Sequence, residues 1–259
     1  VLDQWGVLHD GSAPYGQAVT ALTALHERGI RLAILSNSGK RSAPNWLRIE
    51  NIGFPTNIFC NLMTSGEALW QDISEGTISA RHFFAIERSV GDAKAWGSGL
   101  DIEFCELRNA EAVLLMGLPD HSTLETWRPM LLDMLHDDMT IYCSNPDRQS
   151  PRREGLVMSP GALGFAYAEL GGNVQFYGKP HRPVFQALEK ALGSNQLLMV
   201  GDSLEHDIAG AHNSGWDSVL ICGGLYAGDF KQGNHAETLA RLVTEKGYHP
   251  PTYTLELLQ

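Results

Sequence analysis

Carboxylates, hydroxyls and a lysine stand in this chain where apolar runs end, and those residue types together can handle a phosphoryl group. The richest stretch is residues 195–224, NQLLMVGDSLEHDIAGAHNSGWDSVLICGG. Leu197, Leu198, Met199 and Val200 make a short, bounded apolar run, the pattern of a strand buried on both faces. The run ends on Gly201 and Asp202, and Asp207 follows where a helical pattern begins (Ile208, Ala211) that stops at Gly215. Ligand sites of open α/β sheets lie at the carboxyl ends of their strands. Mg²⁺ takes oxygen ligands from a few carboxylates while keeping waters and substrate phosphate. Taken alone, Asp202 and Asp207 also fit a turn residue and a helix cap.

Three other strand ends repeat the theme. The chain opens with Val1-Leu2-Asp3-Gln4-Trp5-Gly6-Val7-Leu8-His9-Asp10-Gly11, an apolar strand with a carboxylate and a glycine-containing turn. Leu32 to Leu35 run into Ser36-Asn37-Ser38, and Phe176-Tyr177-Gly178 leads to Lys179-Pro180. In chain order the set is Asp3, Ser36, Lys179 and then Asp202 with Asp207. A carboxylate nucleophile, a hydroxyl and a cation to hold phosphate oxygens, and acidic residues for Mg²⁺ are the parts phosphoryl transfer needs. A lone lysine in a turn is ordinarily a surface residue, and its place in this series is what raises Lys179.

In these motifs the chain resembles the haloacid dehalogenase (HAD) superfamily of hydrolases, and its NagD-like branch with a large α/β cap. The resemblance rests on DQWGVLHDG, LSNS, GKPHRPVF and GDSLEHD, with Ser144-Asn145-Pro146-Asp147 and Ser159-Pro160-Gly161-Ala162 similar to the return from cap to core. It implies a Rossmann-like core with a parallel sheet over 1–80 and 159–259, interrupted by a smaller α/β cap over 81–158 that closes over the site. It also implies roles for single residues. Asp3 is the nucleophile and Lys179 steadies the charge, while Ser36 and Asn37 bind the phosphoryl group. The metal set is Asp3, the main-chain carbonyl of Trp5, Asp202 and Asp207, with Mg²⁺ as cofactor. The expected activity is a phosphatase for a small phosphorylated metabolite through an aspartyl-phosphate. A homodimer through the cap is compatible with the branch.

Trp5 departs from the superfamily's pattern. Its phosphatases usually carry a second aspartate there, which protonates the leaving group and then activates water. An indole N–H is a donor only, so general acid and base help worth roughly 10²- to 10⁴-fold is lost. A catalytically weak or inactive protein with a binding role is therefore the alternative, although a pure scaffold needs none of Asp3, Ser36, Lys179, Asp202 and Asp207 together. Non-phosphate chemistry at an aspartyl nucleophile is a third reading, against which the acidic pair counts. His9 and Asp10 are the neighbours able to replace the missing acid; Asp10-Gly11 also reads as turn chemistry and His9 as a surface residue. Arg148, with Arg152 and Arg153, follows Asp147 in the cap and suits phosphate or carboxylate recognition.

Composition sets bounds. The chain has 259 residues, 43% hydrophobic and 19% charged, with a formal charge of -11. That length suits one large or two ordinary domains. The charge and the lack of a basic stripe argue against nucleic acid, and no apolar run reaches the ~18 residues of a membrane span. Cys60, Cys105, Cys143 and Cys222 form no close pair and read as reduced core thiols of an intracellular, most simply cytoplasmic, protein. The sequence begins inside a strand without Met, so an organelle is open if a targeting peptide precedes it. His206, His212 and His235 have no zinc-ligand spacing with the cysteines.

The elements that must position these residues follow from periodicity. Strands are expected over 1–8, 30–35, 83–86, 112–116, 140–143, 197–200 and 218–222. Helices are expected over 17–28, 44–51, 123–135, 161–170, 183–192 and 236–246. Thr64-Ser65-Gly66-Glu67 has the pattern of a capping box opening a helix toward Ile73.

Overall fold

The computed structural model describes residues 1–152, 155–231 and 233–258. It is α/β throughout and divides into two compact units, one of Val1–Ser36, Ser42–Met63 and Lys179–Gln259, the other of Asn37–Arg41 and Thr64–Gly178. Among the described residues no helix is long and apolar enough to cross a membrane.

In the first unit the apolar run around Leu35 is strand Leu32–Ser36, buried along its whole length. It pairs with Phe59–Thr64, while Leu198–Gly201, Asp217–Ile221 and Tyr253–Leu255 form a parallel three-stranded sheet. Leu2 joins the two sets by parallel bridges to Ile34 and Val200. Its N–H donates to Ala33 O at 2.8 Å, and that of Asp3 donates to Val200 O at 2.9 Å. The expected strand over 1–8 is cut short here. After Asp3 the chain curls, with Leu8 N–H and His9 N–H both donating to Gln4 O, and Gly6 takes a positive φ of 78°. Below the sheet Leu2, Leu8, Leu22, Ile34, Ile49 and Phe54 form one core. Each such side chain contributes ~1.5–3 kcal/mol on full burial.

The second unit holds a five-stranded, all-parallel sheet in the order Glu103–Phe104, His82–Ile86, Ala112–Leu115, Thr140–Cys143, Val174–Phe176. Helices Leu124–His136 and Pro160–Glu169 pack on it through Leu131, Met134, Leu163 and Tyr167. Gln149–Arg152 and Gly155–Met158 add an antiparallel pair that the periodicity did not reveal.

This unit is wider than the block expected over 81–158. Val174–Phe176 pairs with Thr140–Cys143, and Phe165 stacks on Phe176 with ring centroids 4.4 Å apart. The Tyr167 hydroxyl donates to Met139 O at 2.7 Å. At the other edge Trp96 Nε1 donates to Gly66 O and the Tyr177 hydroxyl to Asp72 Oδ2, so helix Ser65–Ser74 belongs here too. Thr64 caps that helix by accepting Glu67 N–H, and the Glu67 carboxylate takes both arms of Arg41, whose guanidinium lies 3.7 Å from the Trp70 ring centroid.

The thiols differ from the expectation of four core cysteines. Cys143 and Cys222 are buried, Cys105 is half-buried and Cys60 exposed, and none forms a disulfide.

Candidate active site

Three parallel strand ends converge in the first unit. Asp3 leaves the sheet beside Val200, Ser36 closes the strand paired with Leu2, and Gly201 delivers Asp202. Asp207 is brought back to this edge by a single π turn, Leu204–Ile208, whose start is capped by Ser203 accepting His206 N–H. A π turn widens the helix by one residue and is common at functional sites. Here it puts the Asp207 carboxylate on the strand end, where Oδ2 accepts Ser203 N–H at 3.1 Å.

Lys179 ties the group together. Its side chain is 3% exposed, and Nζ donates to Asp3 Oδ1 at 2.6 Å and to Asp207 Oδ1 at 2.7 Å. Asp202 accepts Leu225 N–H through Oδ2 at 2.8 Å. Carboxylate oxygens of Asp3, Asp202 and Asp207 all lie within 4.8 Å of one another.

Glycines make this crowding feasible. A Cβ on Gly6 would stand 1.7 Å from Asp202 Oδ2, and one on Gly201 would stand 2.2 Å from Asp207 Cβ. One on Gly224 would meet Asp202 Cβ at 2.5 Å.

The electrostatics follow from burying three acids with one ammonium. Burial raises the Asp3 pKa to about 6 against the pull of Lys179. Burial, then the charges of Asp3 and Asp207, raises that of Asp202 to about 8. Burial alone would lower the pKa of Lys179, but Asp207 and Asp3 outweigh it and hold the ammonium above its ordinary range. With every group ionised, three carboxylates against one ammonium leave two negative charges in a buried site. An all-oxygen, net-negative donor set of this kind fits a hard divalent cation, and Asp3, Asp202 and Asp207 are the residues that would hold it.

The other expected site residues are placed as follows. Trp5 lies in this unit with 45% of its surface exposed, its ring edge-on to His9 at 6.1 Å. Asn37 and Arg148 belong to the second unit. There the Asn37 side-chain amide donates to Asp147 Oδ1 at 2.8 Å. The Arg148 guanidinium lies 4.1 Å from the Phe165 ring centroid, with Glu169 at 3.9 Å. Arg153 lies outside the described residues.

His9 is not the surface residue its loop suggested, since it is fully buried. Its Nδ1 accepts Gly11 N–H at 3.0 Å, and burial, with Arg48 nearby, lowers its pKa to about 4. It is thus a neutral brace inside the loop. Asp10 is turn chemistry: Ser12 N–H, the Ser12 hydroxyl and Ala13 N–H all donate to its Oδ1. Sequence reasoning missed Gly6, Gly224 and the Leu225 N–H; the glycine pair after the strand at 218–222 was the available signal.

Comparison with known proteins bears on the fold and the family. Residues 1–92 match the family described as haloacid dehalogenase-like hydrolase, and residues 176–245 match the HAD-hydrolase-like family. A haloacid dehalogenase-like hydrolase from Brucella suis is 28% identical with a TM-score of 0.80, covering 100% of this chain and 94% of that one. The p-nitrophenyl phosphatase from Archaeoglobus fulgidus shares the fold at 21% identity, TM-score 0.77, covering 100% and 95% of the two chains. The 5'-nucleotidase YutF of Bacillus subtilis is 20% identical over 233 residues, 87% of each chain. The chain belongs to the haloacid dehalogenase-like hydrolases, and the shared fold, with its inserted α/β unit, is that of the NagD-like branch.

Proposed function

We propose that this chain is a Mg²⁺-dependent phosphatase that transfers the phosphoryl group of a small phosphorylated metabolite to Asp3 and then to water. The observation that carries this reading is Lys179 Nζ bridging Asp3 and Asp207 at the carboxyl ends of adjacent parallel strands. Binding Oδ1 of Asp3 orients the carboxylate and leaves its second oxygen to attack phosphorus. The ester P–O bond breaks, an acyl phosphate forms on Asp3, and water then attacks phosphorus and returns the carboxylate. Ser36 donates to a phosphoryl oxygen. Asp3, Asp202, Asp207 and the main-chain carbonyl of Trp5 would hold Mg²⁺, which when bound would supply charge neutralisation to the phosphoryl group.

A second reading, favoured by Trp5 alone, is a protein that keeps the site but turns over slowly. The two separate in one assay, phosphate release from p-nitrophenyl phosphate with and without Mg²⁺ by wild type, Asp3→Asn and Trp5→Asp. Mg²⁺-dependent release that vanishes in Asp3→Asn supports the phosphatase. No release from wild type together with activity in Trp5→Asp supports the silent site.

A further inference from the structure

The peptide that carries Trp5 lies at the carboxylate cluster itself. Asp3 is a member of the cluster, and Gly6 packs so closely that a Cβ there would overlap Asp202 Oδ2 at 1.7 Å. Trp5 stands between them, half exposed. Its indole is braced from behind: a Cβ on Gly11 would meet Cζ2 at 2.4 Å and Cη2 at 2.8 Å, and His9 presents its ring at an interplanar angle of 71°. The loop thus holds a large flat ring, half exposed, two residues along the chain from the reacting carboxylate. It offers no side-chain acid of its own in exchange. His9 is buried with Nδ1 engaged, Asp10 is occupied by Ser12 and Ala13, and an indole cannot give up a proton at neutral pH.

We propose that Trp5 is a specificity-determining residue that restricts the chain to phosphate monoesters whose leaving group is both acidic and planar, the aryl phosphates. This rests on the proposed phosphatase reading. When an Asp3 oxygen attacks phosphorus, the P–O bond to the leaving group breaks and its electron pair departs with that oxygen. A phenolate carries the pair without a proton, whereas an alkoxide needs one delivered. The indole stacks on an aromatic leaving group and adds about 2- to 10-fold in binding. The second step lacks a base as well, because water must shed its proton to solvent when it attacks the acyl phosphate. Aryl release should therefore outrun phosphate release, with a first-turnover burst near one equivalent per site.

The experiment compares p-nitrophenyl phosphate, glycerol phosphate and acetyl phosphate, the last having an acidic leaving group and no ring. The proteins are the full chain with Mg²⁺ as wild type, Trp5→Phe, Trp5→Ala and Trp5→Asp, with Asp3→Asn as the blank. Wild type is expected to cleave glycerol phosphate roughly 10²- to 10⁴-fold more slowly than p-nitrophenyl phosphate, and Trp5→Asp to close that gap. The kcat/KM ratio of p-nitrophenyl over acetyl phosphate should fall about 2- to 10-fold in Trp5→Ala and hold in Trp5→Phe. Glycerol phosphate cleaved as fast as the aryl ester, or a ratio unmoved in Trp5→Ala, overturns the inference while leaving the phosphatase reading intact. No Asp3-dependent release from p-nitrophenyl phosphate or from acetyl phosphate overturns both.

Discussion

Lys179 is the residue on which the site's charge turns. It answers the half-buried Asp3 and the buried Asp207 at once, so Lys179→Met should both loosen Asp3 and leave Asp207 without its counter-ion. The expected loss in kcat is roughly 10²- to 10³-fold, read against p-nitrophenyl phosphate. Asp202 gives a pH signature in the metal-free protein. Its folded pKa, about 8, stands above the unfolded value of 3.8, so the folded state binds the extra proton and stability falls as pH rises through that interval. His9 works the other way below its unfolded 6.5, where its depressed pKa makes stability rise with pH. Between about pH 6.5 and 8 the Val1 amine, whose pKa burial lowers from 8.0 to about 6, opposes the Asp202 trend, so the Asp202 contribution is read as a difference: in thermal melts in EDTA the stability of Asp202→Asn relative to wild type should rise with pH there. A difference that stays flat or falls would contradict the burial assigned to Asp202. At this scale Asp3, Ser36, Lys179 and Asp202 were legible because each follows an apolar run, and Asp207 because a helical pattern begins there. Gly6, Gly224 and buried His9 were not, since their roles come from contacts with segments distant in the chain.

At the scale of elements, the site depends on how the π turn meets the strand end before it. Gly201 is where the two press together, with room for hydrogen alone opposite Asp207. Gly201→Ala should displace that turn, destabilise the unit by about 1–3 kcal/mol, and lower activity even though no catalytic side chain is changed. Unaltered stability and activity would mean that the turn yields without consequence. Strands Leu32–Ser36 and Leu198–Gly201 were legible as uninterrupted apolar runs. The shortness of the opening strand was not, because Gln4 O draws Leu8 and His9 into a curl that periodicity does not register. Nor was the reach of the second unit to Gly178, which is fixed by the pairing of Val174–Phe176 with Thr140–Cys143.

For the whole molecule, three carboxylates gathered around one ammonium would link folding to binding of a divalent cation. Mg²⁺ near one hundred times its dissociation constant should raise the melting temperature by roughly 5 to 10 °C, and Asp202→Asn should blunt that response. An identical melting curve with Mg²⁺ and with EDTA would argue against a cation at this site. Acid-quenching the protein during turnover of p-nitrophenyl phosphate with Mg²⁺, and locating the modification by peptide mass spectrometry, decides whether Asp3 carries the phosphoryl group. An acyl phosphate on Asp3 that is absent from Asp3→Asn is expected. Phosphate released at the wild-type rate by Asp3→Asn would contradict it.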